Sequence, residues 1–191
     1  RKEYEHIRSY RMEASVKLEN DQKRVFFKQF ILAESPGNML FLILKFSTPL
    51  FKISILNDVS VVHDMQTNEF YRSDSPEDVI SKLTGLKIDL ITLFKILTGS
   101  FYVDEHYKLL KAYLINDRYQ ELIYEKDDGD QKMSVVIDGK RNVLKRIDLV
   151  SAGSISYRID LFDYDCSSKI CLPERISIKR RKPELELSFK I

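Results

Sequence analysis

The chain has little glycine, proline or cysteine, and these shortages exclude several classes of protein. Its 191 residues include six glycines and five prolines, which is too few for a disordered or low-complexity chain. No apolar run is long enough to cross a membrane as a helix. The formal net charge of +2 favours neither nucleic acid nor an acidic substrate as the partner. The length and a hydrophobic fraction of 43% instead predict one globular domain, residues 1–191, with a substantial core.

Sequence signals of catalysis are also missing. The chain contains no nucleophile elbow, phosphate-binding loop or helical pair of metal ligands. Its histidines, His6, His63 and His106, are scattered and are expected to be structural. The acidic turn at 127–130 lacks the ligand series of a calcium loop. The basic cluster at 179–182 is either a solvated strand end or a contact for anionic lipid headgroups. We therefore expect a protein that is not an enzyme and has no cofactor or metal.

The two cysteines are close together, in the segment DYDCSSKICLPE. Cys166 and Cys171 could be bridged across the tip of a hairpin, or they could form a reduced pair. A zinc site is disfavoured because a closed site needs four ligands and no histidine lies nearby. The disulfide is the favoured interpretation if the compartment is oxidising, such as a periplasm.

Most of the chain has the pattern of β-strands joined by tight turns. Residues 10–18 alternate between apolar and charged side chains, which indicates a strand with one wet face. Residues 39–46, MLFLILKF, are apolar on both faces, so this strand should be covered on both sides or line a cavity on one. The pattern predicts an α+β fold: an open, strongly curled antiparallel sheet, a half-barrel of about eleven strands.

Residues 73–99 interrupt the strands with two short helices. Ser75 can cap the first helix, and Gly85 offers it a left-handed end. Asp89 can cap the second helix, which Gly99 closes. Because each helix has one apolar stripe, the pair should pack against the sheet as a lid.

The space between the helical lid and the sheet is the candidate binding site. A dry core is the alternative, since apolar periodicity alone does not distinguish the two. Each methylene moved from water into such a cavity gains about 0.8 kcal/mol, so lipid binding needs no polar chemistry. Which residue of each alternating pair faces inward depends on the strand register. The candidate lining is apolar throughout and comprises Phe26, Phe30, Leu42, Leu44, Phe46, Ile53, Ile55, Leu90, Phe94 and Leu97.

The stretch from 35 to 99 resembles the LolA/LolB-like family of bacterial lipoprotein carriers and receptors, and is most similar to the outer-membrane receptor branch. The resemblance depends on Thr48-Pro49-Leu50, on the strands at 52–56 and 59–63, and on Lys82-Leu83-Thr84-Gly85-Leu86 ahead of the second helix. It implies an open barrel with a helical lid and a hydrophobic cavity that takes up lipoprotein acyl chains.

The receptor branch implies further expectations about location and partners. Its members are lipid-anchored at the periplasmic face of the outer membrane and receive cargo from a periplasmic carrier protein. The anchor would lie upstream of Arg1, and we expect a monomer. A structural or interaction lipoprotein with the same fold and a filled cavity is the alternative function.

In the receptor branch, a leucine on a projecting loop helps to insert cargo into the membrane. Leu50 is the matching position here, and Phe51 replaces the glycine that usually follows it. We therefore expect Leu50 to be largely exposed and to form a membrane-insertion loop with Phe51. A buried anchor for the loop is the alternative role of Leu50.

Overall fold

A computed structural model describes residues 9–20, 22, 24–35, 37–57, 59–151, 153–167, 170–181 and 184–191. Two helices, α1 (Pro76–Thr84) and α2 (Leu90–Leu97), follow the sixth strand. The strands of the described residues are β1 (Tyr10–Asn20), β2 (Arg24–Ser35), β3 (Asn38–Lys45), β4 (Thr48–Leu56), β5 (Val59–Asp64), β6 (Glu69–Ser73), β7 (Tyr107–Ile115), β8 (Tyr119–Lys126), β9 (Gln131–Asp138), β10 (Val143–Ser151), β11 (Ser154–Asp165), β12 (Leu172–Arg180) and β13 (Leu185–Lys190).

All these strands form one antiparallel sheet in the order β6-β5-β4-β3-β2-β1-β13-β12-β11-β10-β9-β8-β7. The sheet is open, because β6 and β7 lie at opposite edges and do not pair. The α+β class and the open antiparallel sheet are confirmed. The prediction of about eleven strands was wrong: the described residues form thirteen, and the curling of the sheet also differs from the predicted half-barrel.

The face of the sheet that carries the helices, here called the inner face, holds the core. On β1, Met12, Ala14 and Val16 are buried, while the residues between them are exposed. Val16 pairs with Phe27 on one side and Phe189 on the other, so the inner face continues across the three central strands. The period-two pattern of β1 therefore sets which residues of its neighbours point inward.

Local capping signals fix the bounds of both helices. At the start of α1, the backbone N–H of Asp78 donates to the Ser75 side chain at 3.4 Å. At its other end, Gly85 follows as the C-cap, with a left-handed φ of 75°. The backbone N–H of Thr92 donates to the Asp89 carboxylate at 2.7 Å. The predicted caps Ser75, Gly85 and Asp89 are confirmed. The C-cap of α2 is Thr98, one residue before the predicted Gly99, whose φ is 72°.

Two long-range hydrogen bonds attach the helices to the sheet. The Tyr10 hydroxyl donates to the carbonyl oxygen of Leu97 at 3.0 Å, at the end of α2, and burial raises the pKa of Tyr10. Arg180 donates from Nη1 to the carbonyl oxygen of Gly85 at 2.5 Å, just beyond α1. Each bond satisfies a carbonyl that the end of a helix leaves without an intrahelical partner.

The hairpin between β11 and β12 carries the cysteine pair. Cys166 and Cys171 form a disulfide with an S–S distance of 2.05 Å. No helix in the described part of the chain is long and apolar enough to span a bilayer.

Candidate functional site

A cavity of about 210 Å³ lies between the inner face of the sheet and the two helices. Its walls come from β1 to β4, β13, both helices and the segment that joins them. The lining residues are Leu18, Val25, Phe27, Gln29, Ile31, Phe41, Ile43, Lys45, Leu50, Phe51, Ile53, Ile80, Leu83, Thr84, Leu86, Ile88, Leu93, Leu97, Leu187 and Phe189. All but three of these side chains are apolar.

Strand register determines which residues of β2 line the cavity. Leu18 pairs with Val25, and Val16 pairs with Phe27, so the odd-numbered residues of β2 face inward with the buried residues of β1. Gln29 pairs in turn with Ile43 on β3, which continues the same wall. The pairing of β1 with β2, and of β2 with β3, therefore determines which side chains of β2 and β3 line the cavity.

A β-bulge changes the wall at the start of β4. Ile43 pairs with Phe51 and Leu44 with Pro49, which leaves Leu50 as the extra residue. Both Leu50 and Phe51 line the cavity and are half-buried. The Leu50 carbonyl accepts a hydrogen bond from the backbone N–H of Met65 at 2.9 Å. The bulge thus places two successive apolar side chains on the cavity wall.

Three polar side chains line this otherwise apolar cavity, in different environments. Lys45, at the end of β3, is exposed, so the cavity reaches solvent beside it. The Thr84 hydroxyl donates to the Ile80 carbonyl at 2.7 Å and is thereby satisfied within α1. Gln29 is only 9% exposed, and no residue in the described part of the chain hydrogen-bonds its amide.

The structure places the predicted lining residues in three groups. Ile53 and Leu97 line the cavity. Ile55, Leu90 and Phe94 are buried in the core around it but do not line it. The other predicted residues, Phe26, Phe30, Leu42, Leu44 and Phe46, belong to the opposite, outer face of the sheet or to the turn after β3.

The placement on the outer face corrects the predicted lining. Residues 24–33 and 39–46 carry apolar side chains at both odd and even positions, so their composition does not select a face. The signal that could have selected it is the strict alternation of β1, because its pairing with β2 places Val25, Phe27 and Ile31 inside. Leu86 and Ile88, between the helices, belong to no periodic element that would have indicated them.

The predicted exposure of Leu50 was also wrong, because the bulge turns its side chain into the cavity. Among the described apolar residues of this hairpin, Phe46 has the largest exposed fraction, 92%. Phe46 and Ser47 have φ of 50° and 67°, as in a type I′ turn, which normally uses asparagine and glycine. The equivalent turn between β7 and β8 uses Asn116 and Asp117. A phenylalanine is therefore held here in a conformation that disfavours it.

A groove of about 480 Å³ runs over the outer face beside this turn. Phe26, which is 60% exposed, and Phe46 line it, together with the inner-face residues Val16, Phe27 and Phe189. Four cations and three hydroxyls make up the rest of the lining, and none of the described lining residues is a carboxylate: Lys17, Lys28, Arg175, Lys190, Ser15, Ser47 and Ser188. Acidic neighbours beyond the lining pair with three of the cations, in Lys17–Glu19, Lys28–Glu13 and Arg175–Asp163. The groove can therefore accept anionic groups by exchange of these exposed ion pairs.

The two histidines that the structure describes lie apart, in different surroundings. The His63 ring stacks on Phe70 with centroids 4.1 Å apart, and His106 lies near Asp104 and Asp127. His6 and Lys182 lie outside the described residues. Among the residues that the structure describes, no cluster of His, Cys, Asp or Glu could hold a metal ion.

Comparison with solved structures identifies the fold. A LolA superfamily protein from Nitrosomonas europaea superposes with a TM-score of 0.65 at 13% identity, over 97% of this chain and 84% of that one. The chain has a LolA-like fold. A DUF1329 family protein from Desulfovibrio piger gives a TM-score of 0.66 at 9% identity, over 97% of this chain and 84% of that chain. A domain described as an outer membrane lipoprotein-sorting protein, from Vibrio parahaemolyticus, gives 0.59 at 8% identity, over 95% and 82%.

At these identities the comparisons define the LolA-like fold but do not select the receptor branch. No protein-family model matches the chain, and no curated protein matches it. The fold alone therefore does not define a function, and the evidence for one lies in the cavity of this chain.

Proposed function

We propose that this LolA-like domain binds the acyl chains of lipoproteins, or of other lipids, and acts as a non-enzymatic carrier or receptor in the bacterial envelope. The observation that supports this proposal is the apolar cavity between the helices and the inner face of the sheet. Its 210 Å³ exceeds the roughly 150 Å³ of an engineered apolar cavity that binds benzene.

The size and opening of the cavity are consistent with an elongated hydrocarbon ligand. Burial of about a dozen methylenes would contribute about 10 kcal/mol before the costs of ordering the ligand. The exposed Lys45 marks where the polar end of such a ligand would meet water, with Leu50 and Phe51 contacting the chain from the wall. The alternative, a structural lipoprotein with a filled cavity, is less favoured because the space is present.

Paired peptides test acyl binding directly. A peptide carrying an acylated cysteine should bind and displace an environment-sensitive fatty-acyl probe, whereas the same peptide without acyl chains should do neither. Equal binding of both peptides would show recognition of the polypeptide. Binding of neither would favour the structural alternative.

We further propose that the outer groove and the Phe46 turn contact an anionic membrane surface at the periplasmic face of the outer membrane. Exposed aromatic side chains beside several cations suit the boundary between headgroups and acyl chains. The unfavourable backbone of Phe46 supports a role outside folding, since an Asn-Gly turn would serve the hairpin better. This assigns to Phe46 the membrane contact that the resemblance implied for Leu50.

Sedimentation with lipid vesicles tests the membrane contact. Changing Phe46→Asn together with Ser47→Gly should weaken binding to anionic vesicles by about tenfold, because a large apolar side chain is lost. The melting temperature should stay level or rise, since the new turn suits its backbone. The matched control is Leu114→Asn, which removes a 63% exposed leucine from β7 at the other edge of the sheet. Unchanged binding of the turn variant, or an equal loss in the control, would refute this role of Phe46.

A further inference from the structure

The side-chain amide of Gln29 is a polar group in an otherwise apolar part of the cavity wall. Gln29 lies in the middle of β2 on the inner face, between Phe27 and Ile31, and pairs with Ala14 and Ile43. All four of these neighbours are apolar. A glutamine amide has two N–H donors and one carbonyl acceptor, and burial of such a group without partners costs free energy.

Within the described residues the fold supplies no partner for this amide, and its polar atoms are not fully enclosed, so they can be reached from the cavity. Gln29 is more than nine-tenths buried, and in the described part of the chain its side chain makes no hydrogen bond. Thr84, the other uncharged polar residue of the lining, differs because its hydroxyl donates to Ile80 within α1. The amide of Gln29 is therefore available to form a hydrogen bond with a ligand in the cavity.

The depth of Gln29 matches a particular part of a lipid. The exposed Lys45 is two residues beyond Ile43, which pairs with Gln29, so the amide is one inward-facing position below the opening. At about 3.3–3.4 Å per residue this separation is about 7 Å along the strands. A ligand whose polar head stays beside Lys45 would place its first carbonyl groups near Gln29 and its hydrocarbon beyond them.

We propose that Gln29 determines ligand specificity by donating a hydrogen bond to the ester carbonyl of an acyl-glyceryl group. The preferred ligand is then an acyl ester, and an ether-linked chain of equal length lacks the acceptor that Gln29 requires. This inference rests on the proposed acyl-binding function and names the chemical group that the same cavity recognises.

A matched pair of soluble probes tests this specificity. One probe carries a short acyl chain in ester linkage to glycerol, and the other carries an alkyl chain of the same length in ether linkage. The wild-type protein should bind the ester about tenfold more tightly, the ratio expected from one hydrogen bond to a buried amide. Gln29→Met, an unbranched replacement of similar length, should bind both probes equally and retain the thermal stability of the wild type.

Two additional variants separate recognition from a structural effect. Gln29→Leu should also abolish the ester preference, which provides a second test if the methionine variant folds poorly. Gln120→Met, the same replacement at an exposed glutamine of β8 outside the cavity lining, should retain the preference. Equal wild-type affinity for both probes would overturn the role of Gln29 and leave acyl binding intact. An ester preference that persists in Gln29→Met would overturn it as well, and failure of both probes to bind would instead refute the proposed function.

Discussion

Filling the cavity from its sheet wall should strongly weaken acyl binding without lowering the stability of the fold. Val25 lies on β2, lines the cavity and is half-buried, so a larger side chain can extend into empty space. Val25→Phe adds four carbon atoms, and phenylalanine suits a strand. If these atoms displace about four ligand methylenes, binding weakens by about 3 kcal/mol, or roughly 200-fold in Kd. The free energy of unfolding should be unchanged or slightly higher, because the added ring gains contacts.

A titration with a fluorescent fatty-acyl probe, together with urea denaturation, measures both effects. Val61→Phe is the matched control, since Val61 is 37% exposed and lies on the outer face of β5, where it pairs with Ser54. The control should bind the probe as the wild type does. Unchanged binding by Val25→Phe would refute the assignment of the ligand to this cavity. A loss of 2 kcal/mol or more in its unfolding free energy, as overpacking produces, would show that the space is not available.

Three further predictions concern the stability of the fold. Gly99→Ala should lower the free energy of unfolding by about 2 kcal/mol or more, because φ at this position is 72° and the new Cβ would lie 2.9 Å from Cδ of Pro173. Gly153→Ala is the control, since Gly153 has a similar φ in open space, and it should cost about half as much. Urea denaturation measures both changes. The Arg118 hydrogen bond lowers the pKa of buried Asp138. The ionised Asp138 therefore stabilises the fold fully above about pH 4, and this stabilisation is lost as the pH falls through the lowered pKa. In Asp138→Asn, the free energy of unfolding should fall less steeply with decreasing pH. Reduction of the Cys166–Cys171 disulfide should cost only about 2 kcal/mol, because the ring is short, and full thiol labelling of the unreduced protein would contradict the bridge.

Local structure could be predicted from the sequence where interactions between residues close in the chain determine it. The helix ends follow from Ser75, Gly85 and Asp89, whose capping chemistry acts within four residues. The strand segments follow from alternation and turn residues, although their number was underestimated. These signals need no knowledge of which strands pair.

The cavity lining could not be predicted to the same degree, because a strand's face depends on its partner. In residues 24–33 the pair Phe26 and Phe27 is ambiguous by composition, and only the pairing of Phe27 with Val16 assigns it to the inside. At Leu50 a bulge adds one residue to β4 and breaks the alternation that any periodic pattern assumes. The isolation of the Gln29 amide likewise depends on all the walls around it.

Mass spectrometry of lipid that copurifies with the protein is the most direct test of acyl binding. The protein should be expressed in a bacterial envelope, purified without detergent, and extracted with organic solvent alongside Val25→Phe. We expect acyl species in the wild-type extract at a substantial fraction of the molar amount of protein, and their depletion in the variant. Wild-type protein that carries no acyl species and also fails to take up added acyl probe would show that the cavity does not bind acyl chains.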